Sequence, residues 1–401
     1  MKYIVILGDG MSDEPLAELG NKTPLMVARK PHMDYMAKKS EIGLVNTIPE
    51  GMSPGSDTAN LSVLGYNPKK YYSGRSPLEA LSVGVDMKDT DISLRCNLVT
   101  LSDDDLPYEK KKIIDHSSSE ISTADADVLI EAIRREMDND IYKFYTGTSY
   151  RHLMIWDHGK IVDLAQPHDI LDKTIGEYLP QDNNFRKMMV KSYDILNNHP
   201  INKQRKAKGL NKANSIWFWG AGTKPALDLF EEKYKKKGAM ISAVDLLKGI
   251  AVGTGMKVVE VPGANGTLHT NYEGKANAAT KVLLEEGYDF VYVHVEAPDE
   301  MGHQGNVKNK IKAIENLDEK VVRIIFENMQ KSGEDFRILI MPDHPTPISI
   351  RTHTADPVPY MIYDSRTDMD KSWGYDEEQA SLSGNLIKEG HTVINSLFET
   401  N

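Results

Sequence analysis

A chain of 401 residues is more than one hydrophobic core usually encloses, so two or three units, or one large α/β domain carrying an insertion, are expected. Hydrophobic residues at 40% and charged residues at 27% exclude a disordered or collagen-like chain. A net charge of −11 argues against a nucleic-acid partner, and the single cysteine, Cys96, excludes an intramolecular disulfide framework and a cysteine-rich zinc site.

The first apolar run, Tyr3–Leu7, reads as a strand ending at Gly8-Asp9-Gly10. It is too short for the apolar region of a secretory signal. No run approaches the ~20 apolar residues that span a bilayer, so a cytoplasmic protein without a membrane partner is expected. Next comes Glu50-Gly-Met-Ser-Pro-Gly-Ser-Asp-Thr-Ala-Asn60, in which Gly55 permits a tight turn and Ser56 stands at a helix start. From about Asp89 to Lys208 the texture changes to charged clusters and Asn/Pro breaks. Helical patterns at Thr123–Met137 and Phe185–Leu196 flank a short strand at Tyr150–Trp156. This stretch reads as an α+β insertion, with hinges near Met87–Asp91 and Lys206–Leu210. The expected division is therefore 1–88 with 209–401 as one domain, and 89–208 as the other.

Beyond the insertion, Trp217 and Trp219 read as strand-packing residues and Ala276–Glu286 as an amphipathic helix. It leads into the strand Asp289–Val295, which ends at Glu296-Ala-Pro-Asp299. In Val307–Gln330 the residues Ile311, Ile314, Leu317, Val321, Ile324 and Ile325 recur at helical spacing. Arg337–Met341 is a further strand, running into Pro342-Asp343-His344. Continuous apolar strands alternating with helices predict a doubly wound α/β sheet, whose ligands bind at the carboxyl ends of the strands. Asp9, Asp299 and Asp343 all fall at such ends.

Asp299 and His303 are four residues apart and share a face if helical; His344 adjoins Asp343, and His353 follows nine residues later. Three carboxylates and three imidazoles suit a two-metal site for Mn²⁺ or Zn²⁺. Each pair alone has an ordinary alternative, as a surface helix pair or a loop cap. A hydroxyl at Ser56 meeting such ions becomes a competent nucleophile. The plain alternative is a serine N-cap with Asp57 in the first turn.

The runs GDGMSDEPL, PGSDTANLSVLGY, YYSGRSPLEA, ILNNHPIN, APDEMGHQG and PDHPTPISIRTHTADPVP occur in that order along nearly the whole chain. Together they resemble the cofactor-independent (2,3-bisphosphoglycerate-independent) phosphoglycerate mutases, archaeal-type branch, of the alkaline phosphatase superfamily. The resemblance implies an alkaline-phosphatase-like sheet domain interrupted by a smaller α+β lid that presents substrate-binding groups. It also implies a phosphoserine intermediate at Ser56 in the interconversion of 2- and 3-phosphoglycerate. One metal would lie on Asp9, Ser56, Asp343 and His344, the other on Asp299, His303 and His353. A small phosphorylated metabolite is the implied substrate; the oligomeric state is left open. For its carboxylate and phosphate, Arg75 is the candidate from the sheet domain and Arg151 from the insertion, with His116 and His168 as further candidates.

The pattern is departed from on the substrate side. Asp115-His-Ser-Ser-Ser-Glu-Ile121 stands where those mutases carry an arginine-rich run, Glu296 where a lysine is expected, and Ser76 where a glycine is usual. That combination resembles a bacterial offshoot proposed as homoserine kinase, whose cationic substrate would welcome Glu296 or Glu120. Mutase chemistry is the first expectation, the kinase the alternative and a plain phosphomonoesterase the third.

Overall fold

The computed structural model describes residues 1–367 and 370–399. It folds as two compact units, one of Met1–Tyr72 with Ala226–Asn401, the other of Ser73–Pro225.

The first unit is built on an eight-stranded sheet. Its order from one edge is Leu386–Ile387, Ser40–Val45, Val358–Asp364, Phe336–Met341, Lys2–Gly8, Phe290–Val295, Gly238–Ile241 and Lys257–Val258. Only Val358–Asp364 runs against its neighbours. The central strands are apolar without alternation and buried along their length, as a sheet covered on both faces requires. Under one face, Ile4, Ile6, Val291, Val293, Ile338 and Ile340 meet residues of the Tyr272–Leu284 and Val307–Leu317 helices in one core. The helix expected over Val307–Gln330 continues to Ser332 but widens into a π-turn at Asp318–Val322. There the buried Asp318 carboxylate accepts hydrogen bonds from the backbone N–H groups of His32 and Met33, at 3.3 and 2.7 Å. It thereby caps the Pro31–Ala37 helix, and the local irregularity serves a tertiary contact.

The second unit carries an antiparallel sheet of Ile92–Leu101, Ile113–Asp115, Tyr142–Tyr145, Arg151–Trp156 and Ser215–Thr223. The helices Thr123–Met137 and Asn183–Leu196 bury Leu129, Ile130, Ile133, Phe185 and Met189 in its core. Cys96 lies buried on the Ile92–Leu101 strand. The mixed α/β class with a smaller α+β unit is thus as expected, but the unit extends past the 89–208 limits at both ends. Two contacts explain the difference. Ser76, in the Arg75–Ser82 helix, donates to the carbonyls of Ser93 and Gly220 at 2.8 and 2.6 Å. The Ser215–Thr223 strand, with Trp217 and Trp219, pairs with Ile92–Leu101. Arg75 consequently belongs to this unit and not to the sheet domain assigned to it from sequence. Among the described residues no helix is long and apolar enough to cross a membrane.

Candidate active site

Register brings the three carboxylates together. Gly8 pairs with Val295, and Leu7 with Met341, so three neighbouring strands end level and release Asp9, Asp299 and Asp343 at one edge. Gly10 makes the approach possible. Its φ is +57°, and a Cβ there would sit 2.6 Å from Asp299 Oδ1 and 2.8 Å from the Asp299 Cα. Its N–H donates to Asp343 Oδ1 at 3.1 Å.

Around His344 lies the first group. Its Nε2 is 3.2 Å from Ser56 Oγ, 3.4 Å from Asp343 Oδ2 and 3.5 Å from Asp9 Oδ1. Its Nδ1 faces the Pro345 carbonyl and Thr346 Oγ1, both at 3.3 Å, which leaves Nε2 for this centre. Burial lowers the His344 pKa and favours the neutral ring. Ser56 is the first residue of the Ser56–Val63 helix; Gly55 takes the N-cap position, so the serine is not an ordinary cap. Asp57 instead accepts from the Tyr72 hydroxyl at 2.7 Å.

His303 and His353 form the second group with Asp299. Their Nε2 atoms are 3.0 Å apart, and lie 3.2 and 3.4 Å from the two Asp299 oxygens. His303 Nδ1 donates to the Arg351 carbonyl at 2.9 Å, which again turns Nε2 inward. Hydrogen bonds from His303 and His353 hold the Asp299 carboxyl well below its usual range, although burial acts the other way. Asp299, His344 and His353 offer ligand atoms within 4.8 Å of one another, as do Asp9, His294 and Asp343. His344 therefore stands between the two groups, and distance alone does not divide the seven expected ligands into their two sets.

Does a cation fit here? Asp9 Oδ1 is buried with no hydrogen-bond partner, an expensive state for a carboxylate oxygen. Burial, then the charges of Asp343 and Asp299, push the Asp9 pKa well above its ordinary value. Hard oxygens and imidazoles converging on one point, one oxygen unsatisfied, suit divalent metal.

Several residues of this centre were missed from sequence. Asn60 donates to the Ser56 carbonyl and to Asp343 Oδ2 at 2.8 and 2.9 Å, tying the serine helix to the third strand end. Its spacing of four from Ser56 was the available signal. Lys310, fully buried, donates to the Ser12 and Thr346 carbonyls and pairs with Asp13 at 2.7 Å, bracing two of the loops. Glu296 is spoken for: Lys275 Nζ lies 2.6 Å from it and His294 Nδ1 3.2 Å, all three buried. The expectation that Glu296 would welcome a cationic substrate is overturned, because its charge is neutralised inside the protein.

The basic candidates gather within the second unit. His116 and His168 have ring centroids 6.0 Å apart, His168 and Trp219 5.3 Å, and His116 and Tyr150 5.7 Å. Arg151 lies over Tyr150 at 5.0 Å. At the centre is Arg95, unforeseen, with its guanidinium 4.4 Å from the Trp219 ring centroid and two bonds to Glu79 of 2.8 and 2.6 Å. Arg75 meets the same Glu79 at 3.2 Å. A charged residue inside the wholly buried strand Ile92–Leu101 was the signal. Burial lowers the His168 pKa, and the neighbouring His116, Arg95 and Arg75 act in the same direction, against Asp169. Such a set favours an anion.

A mostly parallel sheet with carboxylates, imidazoles and a serine hydroxyl gathered at its carboxyl edge is that of a phosphatase-like α/β enzyme. Comparison with known proteins narrows this. Residues 37–202 match a model of the family described as 2,3-bisphosphoglycerate-independent phosphoglycerate mutase. The chain is 48% identical over 405 residues to the probable enzyme of that name from Geobacter sulfurreducens, covering 100% of both. It is 50% identical over 400 residues to the one from Methanosarcina barkeri, covering 98% of each. Among solved structures, the cofactor-independent phosphoglycerate mutase of Thermoplasma acidophilum matches 100% of this chain and 99% of its own, with 28% identity and a TM-score of 0.65. A Pyrococcus horikoshii protein matches 99% and 97%, at 30% identity and a TM-score of 0.80. The chain belongs to the family of 2,3-bisphosphoglycerate-independent phosphoglycerate mutases.

Proposed function

We propose that this enzyme interconverts 2-phosphoglycerate and 3-phosphoglycerate by phosphoryl transfer through Ser56, with two divalent cations, Mn²⁺ or Zn²⁺. The observation that carries the reading is the Ser56 hydroxyl against His344 Nε2, which also lies near Asp9 and Asp343, in a chain similar to such mutases over its whole length. Asp9, Ser56, Asp343 and His344 would hold one cation and Asp299, His303 and His353 the other. When bound, the cations lower the pKa of the Ser56 hydroxyl and neutralise charge on the transferring phosphoryl group.

The chain's own residues do the rest. Asn60 fixes the serine helix against Asp343, so the hydroxyl reaches the phosphorus without a search. Arg95, Arg75 and Arg151, with His116 and His168, give the Ser73–Pro225 unit an anion-binding set suited to the glycerate carboxylate. Return of the phosphoryl group to the other hydroxyl demands that water stay out. The homoserine kinase alternative loses its main support with Glu296 engaged by Lys275.

A paired assay on one preparation in Mn²⁺ tests the reading. Incubation with 3-phosphoglycerate alone is expected to yield 2-phosphoglycerate. Phosphohomoserine formed from homoserine and ATP, with no 2-phosphoglycerate in the first arm, would overturn it; so would release of inorganic phosphate as the main product.

A further inference from the structure

Behind Asp9 runs a line of three ionisable side chains, His294, Glu296 and Lys275. Lys275, on the Tyr272–Leu284 helix, contacts Glu296 Oε2 at 2.6 Å and the His294 carbonyl at 2.7 Å. Glu296 Oε1 faces His294 Nδ1 at 3.2 Å and accepts the Ala243 N–H at 2.8 Å. Ser242 Oγ, just past the end of the neighbouring strand, lies 3.1 Å from the same Nδ1. His294 Nε2 reaches Asp9 Oδ2 at 3.0 Å. The side chains of Lys275 and His294 are fully buried, and those of Glu296 and Asp9 are 7% and 5% exposed.

Burying such a line is costly, and apolar residues of similar volume would serve stability as well or better. Its far end explains what it is for. Of the two Asp9 oxygens, Oδ2 is held by His294, while Oδ1 is buried without a partner and turned toward His344 at 3.5 Å. A carboxylate fixed through one oxygen, with the other bare, is a ligand set in advance. Each further partner restrains the one before it: Glu296 and Ser242 fix the ring plane of His294, and Lys275 fixes Glu296.

We propose that His294 is a positioning residue of the Asp9 cation site: it holds Oδ2 so that Oδ1 points at the cation, and Glu296 and Lys275 hold His294 in turn. The inference rests on the metal-dependent reading above. It assigns no ligand role to His294 and leaves the Asp299, His303 and His353 group independent of it.

The test is a titration of the metal-stripped full-length chain with Mn²⁺ alone, following free Mn²⁺ by its paramagnetic resonance signal. The unaltered chain is expected to bind two ions. His294→Leu should keep one at unchanged affinity and weaken the other by about 100-fold, while Glu296→Gln weakens the same one by about 10-fold. His294→Gln, whose amide N–H can reach Asp9, should recover most of the loss. Unchanged binding of both ions by His294→Leu and Glu296→Gln overturns the proposal and leaves the function standing. An unaltered chain that binds neither Mn²⁺ nor, in a parallel titration, Zn²⁺ overturns the function itself. If His294→Leu fails to fold, Glu296→Gln decides alone, and unchanged affinity there overturns the proposal.

Discussion

The two charged clusters of this molecule solve opposite problems. At the strand ends of the first unit, acids outnumber their internal partners. Asp9 keeps a bare buried oxygen and its pKa is pushed up by burial and by Asp343 and Asp299. In the cluster around Arg95 in the Ser73–Pro225 unit, Glu79 faces both Arg95 and Arg75. The first cluster has the chemistry to take divalent cations and the second that to take an anion. The difference also lies in how each is held. The acids stand on level strand ends, whereas Arg95 is clamped between Glu79 and the face of Trp219.

Ser56→Ala strikes the first cluster hardest. Turnover of 3-phosphoglycerate is expected to fall by at least about 10³-fold with the circular dichroism spectrum unchanged, and retained turnover would remove the serine from the chemistry. In the second cluster, Arg95→Met leaves Glu79 buried without its bidentate partner. A stability loss of about 3–5 kcal/mol is expected, read by urea unfolding. A loss under about 1 kcal/mol would mean that the clamp is not what supports this cluster.

A pH series separates the balanced acid of the first unit from the unbalanced ones. Glu296 is held down at about 2 from an ordinary 4.5 by Lys275 and His294, against its burial. Its folded pKa lies below its unfolded one, so its contribution is complete above pH 4.5 and disappears as the pH falls through about 2. That is about 3 kcal/mol at 1.36 kcal/mol per unit. The stability gap between the unaltered chain and Glu296→Gln should therefore close over this window; a gap independent of pH would show that the Lys275 pairing is not what stabilises Glu296. The smallest effect is expected from Arg151→Met. Half-buried on Tyr150, Arg151 is replaceable without harm to the fold, and KM should rise about 10- to 100-fold with the melting temperature unchanged. An unaltered KM would drop Arg151 from the anion-binding set.

Much of this was legible in the chain because it is local. Apolar runs marked the central strands, and the helix expected near Thr123–Met137 is present there. The Asp9, Asp299 and Asp343 ends could be read because parallel sheets place ligands at strand termini. Glu296 shows where such reading stops. As a letter in a row it was an extra carboxylate facing a substrate; in space it belongs to Lys275, 21 positions away along the chain. Arg95, Asn60 and His294 were passed over for the same reason, since their partners Glu79, Asp343 and Asp9 lie 16, 283 and 285 positions distant.

The limits of the inserted unit were likewise a tertiary matter. Nothing in the texture at residue 73 or 225 marks a boundary; the buried Ser76 hydroxyl and the pairing of Ser215–Thr223 with Ile92–Leu101 draw it. By itself, then, the sequence determined the class of sheet and which residue types stand at its ends, because periodicity and strand termini are properties of neighbouring residues. Only the tertiary structure decided which of those charges are free to act, because a charge is cancelled by whatever the fold brings within about 3 Å of it, however distant in the chain.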